Sequence, residues 1–118
     1  MDAATQALSS EKSKLLSRLA EIQVEEQRAR GMFNSVPHLT DVEEESVALG
    51  RLLSRLSLSR SVFEIAATGE THASCPSCAA RCCLETTKRT VQSVSGEVEL
   101  LEPMGYCPAC RRAFFPSA

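Results

Sequence analysis

Four cysteines crowd into the stretch CPSCAARCC, residues 75 to 83, and two more follow in CPAC, residues 107 to 110. Cys75 and Cys78, then Cys107 and Cys110, give CxxC, 28 intervening residues and CxxC. Two residues between cysteines allow a tight knuckle that aims both sulfurs at one ion while nearby backbone N–H groups point at the thiolates. Two facing knuckles complete a tetrahedral set, the arrangement of a closed structural metal site. Pro76 and Pro108 stiffen both knuckles at the same place, so the repeat extends beyond the thiols. The spacing predicts one structural Zn²⁺ held by Cys75, Cys78, Cys107 and Cys110.

The alternatives differ in chemistry. A rubredoxin-like iron electron carrier uses the same four donors, and spacing alone does not separate it from zinc. Buried, unligated cysteines in a small core are a plainer reading, but they leave the two matching knuckles unexplained. Redox chemistry of the thioredoxin kind lacks its βαβ surroundings. Cys82 and Cys83 lie beyond the first knuckle, and Cys83 is expected to enter a small core beside Leu84. Ala79 and Arg111 follow the two knuckles where zinc-binding loops often use Gly. His72, three residues before Cys75, is expected in a flexible linker, and His38 has no evident partner.

The elements that must position these thiols fall into two organisations. Residues 1–69 contain no cysteine and read as a helical arm, with helices over about 10–30 and 41–67. Ser9 and Ser10 are candidate caps for the first, and Leu8, Leu15 and Ile22 recur every seven residues with Leu19 between them. Gly31 closes this helix, and Pro37 keeps the following residues irregular. Thr40 and Glu43 have capping-box spacing for the second helix, with Asp41 favourably placed for the helix dipole. Val42, Leu49, Leu56 and Phe63 fall on one heptad position and Leu53 on the other, while Leu52 and Ile65 widen the stripe. Gly69 is the candidate stop. Two such helices form either a helical hairpin or half of an intermolecular coiled coil, so a homodimer through the arm is one expectation. Arg51, Arg55 and serines 54, 57, 59 and 61 read as solvated helix surface.

From residue 70 to 118 the pattern is that of a zinc ribbon. TVQSV and EVELL, joined through Ser95-Gly96, read as a β-hairpin that brings the two knuckles together, with Val91 facing the Val98 and Leu100 alternation. The fold class is therefore α+β, a helical hairpin or coiled-coil arm followed by a small zinc ribbon. Ordering so short a tail costs on the order of 1.5 kcal/mol per residue. A structural zinc contributes about 10–16 kcal/mol of apparent binding energy in small finger peptides. The metal decides whether the tail folds, and a closed site implies no catalysis.

Composition narrows the function classes. Thirteen Lys and Arg against fifteen Asp and Glu give a net charge of -2, so bulk electrostatics do not announce a nucleic-acid binder. The tail from residue 68 carries five basic residues and five Glu. No apolar run resembles a signal peptide or a membrane span. The expected location is cytoplasmic, where thiols stay reduced.

CPSC, then TKRTVQSVSGEVELLEP, then YCPACRRAFFP resembles the N-terminal zinc-ribbon region of insertion-sequence transposases of the Kra lineage. The resemblance covers residues 40 to 118 and is most specific from 75 to 116. It implies that the same four cysteines are zinc ligands and that the partner is DNA at transposon ends. Family members continue beyond FFP into a long catalytic region. Transposases of this general kind use carboxylates that hold Mg²⁺, whereas Asp occurs here only at 2 and 41. The expectation is an isolated or truncated, non-catalytic N-terminal module serving DNA end recognition or subunit contact. Arg81, Lys88, Arg89, Arg111 and Arg112 are the candidate phosphate contacts, opposed by glutamates 97, 99 and 102. A zinc-stapled protein-interaction module without DNA binding is the alternative.

Overall fold

The computed structural model describes residues 2–67 and 70–116. Two helices, α1 (Ala3–Ala29) and α2 (Leu39–Ala66), precede four strands: β1 (His72–Ser74), β2 (Arg81–Ser93), β3 (Gly96–Cys107) and β4 (Arg112–Phe114). The strands form one antiparallel sheet in the order β1-β2-β3-β4. This is the α+β architecture expected from the sequence. The chain divides into two compact units, Met1–Glu44 and Glu45–Ala118, so most of α2 belongs with the sheet. No helix among the described residues is long and apolar enough to cross a membrane.

In the first unit α1 starts well before the expected Ser9–Ser10 cap. Asp2 is the N-cap, and its Oδ1 accepts a 2.7 Å bond from the Thr5 N–H. That bond holds the Asp2 carboxyl below its ordinary range. Ala, Gln, Leu and Lys fill the early turns, so once a carboxylate satisfies the first amides nothing delays the helix. Arg18 bridges Glu21 and Glu25 at 3.1 Å each on the exposed side. Gly31 closes α1 as expected, at φ 85°. Met32 N–H reaches Gln27 O and Gly31 N–H reaches Arg28 O, a Schellman pair that consumes two orphan carbonyls.

Helix α2 begins at Leu39, so Thr40 lies inside the first turn instead of capping it. The carbonyl of His38 receives the Asp41 and Val42 amides, which gives that histidine a backbone role the sequence did not suggest. The candidate stop at Gly69 lies outside the described residues.

In the second unit β2 and β3 make a long hairpin closed by Val94 and Ser95, with Val91 opposite Val98. Gly96, at φ 111°, supplies the backbone conformation the turn needs. Along β3 the burial first alternates: Val98, Leu100 and Glu102 are buried while Glu97, Glu99 and Leu101 are exposed. Beyond Pro103 and Met104 the parity reverses, and Gly105 and Cys107 are the buried residues. Successive strand residues face opposite sides, and the β2–β3 register runs unbroken through this region. The sheet therefore has cores on opposite faces at its two ends. At the hairpin end Val98 and Leu100 meet Val62 of α2, with Leu58 and Val91 packed alongside. At the knuckle end Cys75, Cys82 and Cys107 cluster with Ala80, Cys110 and Phe114.

Polar contacts fasten α2 to the turn. Arg55 Nη1 donates to Ser95 O at 2.9 Å, Ser95 Oγ meets Ser54 Oγ at 2.6 Å, and Ser59 Oγ donates to Glu99 O at 3.4 Å. These corrections to the expected solvated surface have one cause: Ser54, Arg55, Leu58 and Val62 share the helix face that meets the sheet. The heptad stripe lies elsewhere on α2, and Leu53, Leu56 and Phe63 remain 41%, 58% and 51% exposed.

Candidate metal centre

Each knuckle forms because its chain turns back sharply after the second cysteine. In the first, Cys75 N–H bonds Ala80 O and Ala79 N–H bonds Cys75 O, both at 2.8 Å. Ala79 completes this turn at φ 63°. In the second, the Cys110 N–H points at Cys107 Sγ from 3.4 Å, and Arg111 takes φ 56° before β4 pairs back on Cys107. Ala79 and Arg111 thus occupy left-handed conformations that glycine adopts without strain. The short strands β1 and β4, which the sequence reading did not anticipate, are the outer arms of these turns.

The hairpin brings the knuckles face to face. Cys75, Cys78, Cys107 and Cys110 place their sulfurs within 4.8 Å of one another and could hold a metal ion. Cys75 Sγ lies 3.9 Å from Cys110 Sγ, and Cys78 Sγ lies 3.5 Å from Cys107 Sγ. A tetrahedron with metal–sulfur distances near 2.3 Å has edges of about 3.8 Å, so the donor set fits such an ion. A disulfide needs about 2 Å between sulfurs, and all six thiols are free. Cys107 and Cys75 are buried, Cys110 is half-buried and Cys78 reaches the surface.

Backbone amides prepare the thiolates. The N–H of Cys110, with help from that of Ala109, lowers the Cys107 thiol to about 6. Those of Cys78 and Ser77 lower Cys75. Cys110 moves the other way, to about 12, because its thiol hydrogen-bonds to the sulfurs of Cys78 and Cys75 and sits beside the Cys107 charge. Cys110 therefore keeps its proton until a cation displaces it.

Cys83 does not enter the small core as expected; its neighbour Cys82 does. Cys82 is buried beside the cluster, donates to Ala80 O at 3.4 Å and is raised by its burial. Cys83 is exposed and meets His72 Nε2 at 3.3 Å. Strand parity explains both. The register that sets Leu84 opposite Gly105 carries Cys82 towards Cys107 and turns Cys83 to the other face. His72 is a β1 residue paired with Cys83, not a linker histidine, and it stands outside the sulfur cluster.

The five candidate phosphate contacts separate into two groups. Lys88 pairs with Glu99 at 3.0 Å. Arg89 pairs with the buried Glu102 and stacks on Phe115, 3.8 Å from its centroid. Arg81, Arg111 and Arg112 flank the knuckles, exposed and without an ion pair among the described residues. The Arg89–Glu102–Phe115 anchor went unseen in the sequence. Its signal was the pairing of Thr87 with Glu102, which leaves Glu102 diagonal to Arg89 on the same face. Comparison with protein-family models, curated proteins and solved structures finds no match to this chain in any of the three.

Proposed function

We propose that this chain is a non-catalytic zinc-ribbon module in which Cys75, Cys78, Cys107 and Cys110 hold one structural Zn²⁺. We further propose that it serves DNA transposition, as the N-terminal part of a transposase of the Kra lineage, in DNA end recognition or subunit contact. The observation that carries the zinc reading is the sulfur cluster, whose edges of 3.5 and 3.9 Å suit a tetrahedral ion. Four thiolates fill that coordination sphere and leave no position for a substrate, which supports a structural role over a catalytic one. The resemblance of CPSC and YCPACRRAFFP to the zinc-ribbon region of Kra-lineage transposases is what supports the transposase assignment.

For DNA, the supporting residues are Arg81, Arg111 and Arg112, because Lys88 and Arg89 are already paired within the sheet. Three phosphate contacts give a log–log salt slope of about -2.7 on duplex DNA. Titrating the zinc-loaded chain with duplex DNA at several salt concentrations tests this. Changing Arg111 and Arg112 together to Ala should weaken binding similarly for all sequences and reduce the slope by roughly two. If the parent shows no salt-sensitive binding at low ionic strength, the DNA role fails and the protein-interaction reading replaces it. The exposed α2 stripe favours that second reading, since an apolar helix face is suited to another protein surface.

A further inference from the structure

We propose that Cys83 is a nucleophilic thiol, with His72 as its base, that forms a mixed disulfide with small disulfides bearing carboxylate and ammonium ends. The four-cysteine cluster uses neither residue. Cys83 and His72 are cross-strand partners in the β1–β2 ladder, and Cys83 Sγ lies 3.3 Å from His72 Nε2. On the other side of the ring, Thr71 Oγ1 lies 2.9 Å from His72 Nδ1, and the Thr71 carbonyl accepts the Leu84 N–H at 2.8 Å. Donation of Nδ1–H to that hydroxyl leaves the Nε2 lone pair for the thiol proton. Nucleophile, base and orienting group thus stand in hydrogen-bond sequence, the arrangement that activates a thiol. A second metal site is the rival chemistry for a cysteine and a histidine together. Among the described residues the only group of three or more metal-ligating side chains is the four-cysteine set, so this pair lacks the further donors.

The face around Cys83 selects the substrate. An open groove of about 360 Å³ runs along it, lined by Arg81, Cys83 and Glu85 of β2 and by Met104 and Tyr106 of β3. Residues two apart on a strand share a face and stand about 6.6 Å apart. Arg81 and Glu85 therefore flank Cys83 with opposite charges, about 13 Å apart along the strand. Arg81 suits a carboxylate and Glu85 an ammonium, while Met104 and Tyr106 offer apolar surface to the disulfide between them.

In the exchange the Cys83 S–H proton passes to Nε2, and the thiolate attacks one sulfur of the disulfide RS–SR. The bond from Cys83 to SR forms as the old S–S bond breaks, and the leaving RS⁻ takes the proton from Nε2 to become RSH. Cys83 is oxidised and the small disulfide is reduced. The neighbouring Cys82 is buried on the opposite face, so it does not reach the adduct to resolve it. The product is a persistent modification of one thiol per chain.

Incubating the full zinc-loaded chain with glutathione disulfide tests this, with the adduct mapped by mass spectrometry and zinc content read alongside. The expected product is a single adduct at Cys83 with zinc retained, absent in Cys83→Ser. A thiol of ordinary pKa near 8.5 is only about 3% ionised at pH 7, so a base can raise its rate by at most about 30-fold. His72→Gln should therefore react about 5- to 30-fold more slowly at pH 7, and the gap should close by about pH 9.5, where an unassisted thiol is ionised. Arg81, Glu85 and Tyr106 also face Cys83, but they are unchanged in that variant, so the closing gap reads His72 alone. The parent should also outrun an unstructured cysteine peptide at pH 7 by a similar factor, a comparison that needs no variant to fold. It should react faster with glutathione disulfide than with the uncharged bis(2-hydroxyethyl) disulfide, and Arg81→Ala should narrow that preference. First modification at Cys78 with loss of zinc, or Cys83 reacting no faster than the peptide, overturns the inference. Equal rates for the parent and His72→Gln at pH 7 remove His72 as the base, and indifference to the charge of the disulfide overturns the substrate class.

Discussion

Gly105 sits directly beneath the ring of Phe114, its partner across the β3–β4 ladder. A Cβ added there would stand 2.7 and 2.9 Å from the two ε carbons of that ring and closer still to the ζ carbon. Real Cβ atoms do not tolerate such contacts, so Gly105→Ala must push the ring or part the strands. Neither response is free. Phe114 packs on the core formed by Cys75, Cys82 and Cys107, and β4 carries the arm of the second knuckle. Overpacking of this kind costs about 1–3 kcal/mol. On the zinc-ribbon function proposed above, folding of the tail and metal binding are one process, so the cost should appear as an affinity loss of about 5- to 150-fold. Competition with a chromophoric zinc chelator at neutral pH measures it. The variant should still bind zinc, since the total binding energy is about 10–16 kcal/mol. Phe114→Ala removes the obstacle, so in that background Gly105→Ala should cost almost nothing, a coupling of about 1 kcal/mol or more. Parent-like affinity in Gly105→Ala, or the same loss with and without the Phe114 ring, would refute the close approach as the reason for glycine.

Ala79, at φ 63°, should respond in both directions. Ala79→Gly should raise the unfolding free energy of the zinc-loaded chain, read by denaturant titration, by up to about 1 kcal/mol, and the β-branched Ala79→Val should lower it by more than about 1 kcal/mol. The thiols predict how pH acts. Cys107 is depressed to about 6, so its thiolate contribution is present above the ordinary thiol range and is lost as pH falls through about 6. Cys110, raised to about 12, remains a thiol at pH 7 until the ion displaces its proton. Zinc titration calorimetry in buffers of different ionisation enthalpy should therefore show at least one proton released per ion at pH 7, with affinity rising from pH 6 to 8. Binding without proton release would contradict this account of the site.

The features the sequence made legible were those written in fixed spacing. The two CxxC knuckles announced a cluster of Cys75, Cys78, Cys107 and Cys110, and the turn chemistry at Ser95-Gly96 announced the hairpin that joins them. Gly31 marked the end of α1 because a Schellman closure needs its positive φ. Features that depend on which face an element presents were less legible. Helix α2 carries apolar residues around much of its circumference, so periodicity favoured the Val42–Phe63 stripe, while the sheet took Leu58 and Val62. Cys82 and Cys83 are neighbours of one type, and only the β2–β3 register decides which of them is buried. The helix α1 starts at Asp2 because one carboxylate satisfies the first amides, a local contact that a seven-residue pattern does not encode. Lys88 and Arg89 read as phosphate contacts opposed by glutamates 97, 99 and 102, and only the register decides that Lys88 pairs with Glu99 and Arg89 with Glu102.

The central claim is that four thiols, and not six, hold one zinc ion on which the ribbon depends. Elemental analysis of the purified chain beside its Cys107→Ser and Cys82→Ser variants tests it most directly. One zinc per parent chain, loss of zinc and of sheet structure in Cys107→Ser, and full zinc in Cys82→Ser are the predicted results. Equal loss in both variants would show that the ligand set is wrong, and iron with a visible absorption band in place of zinc would show that the ion is.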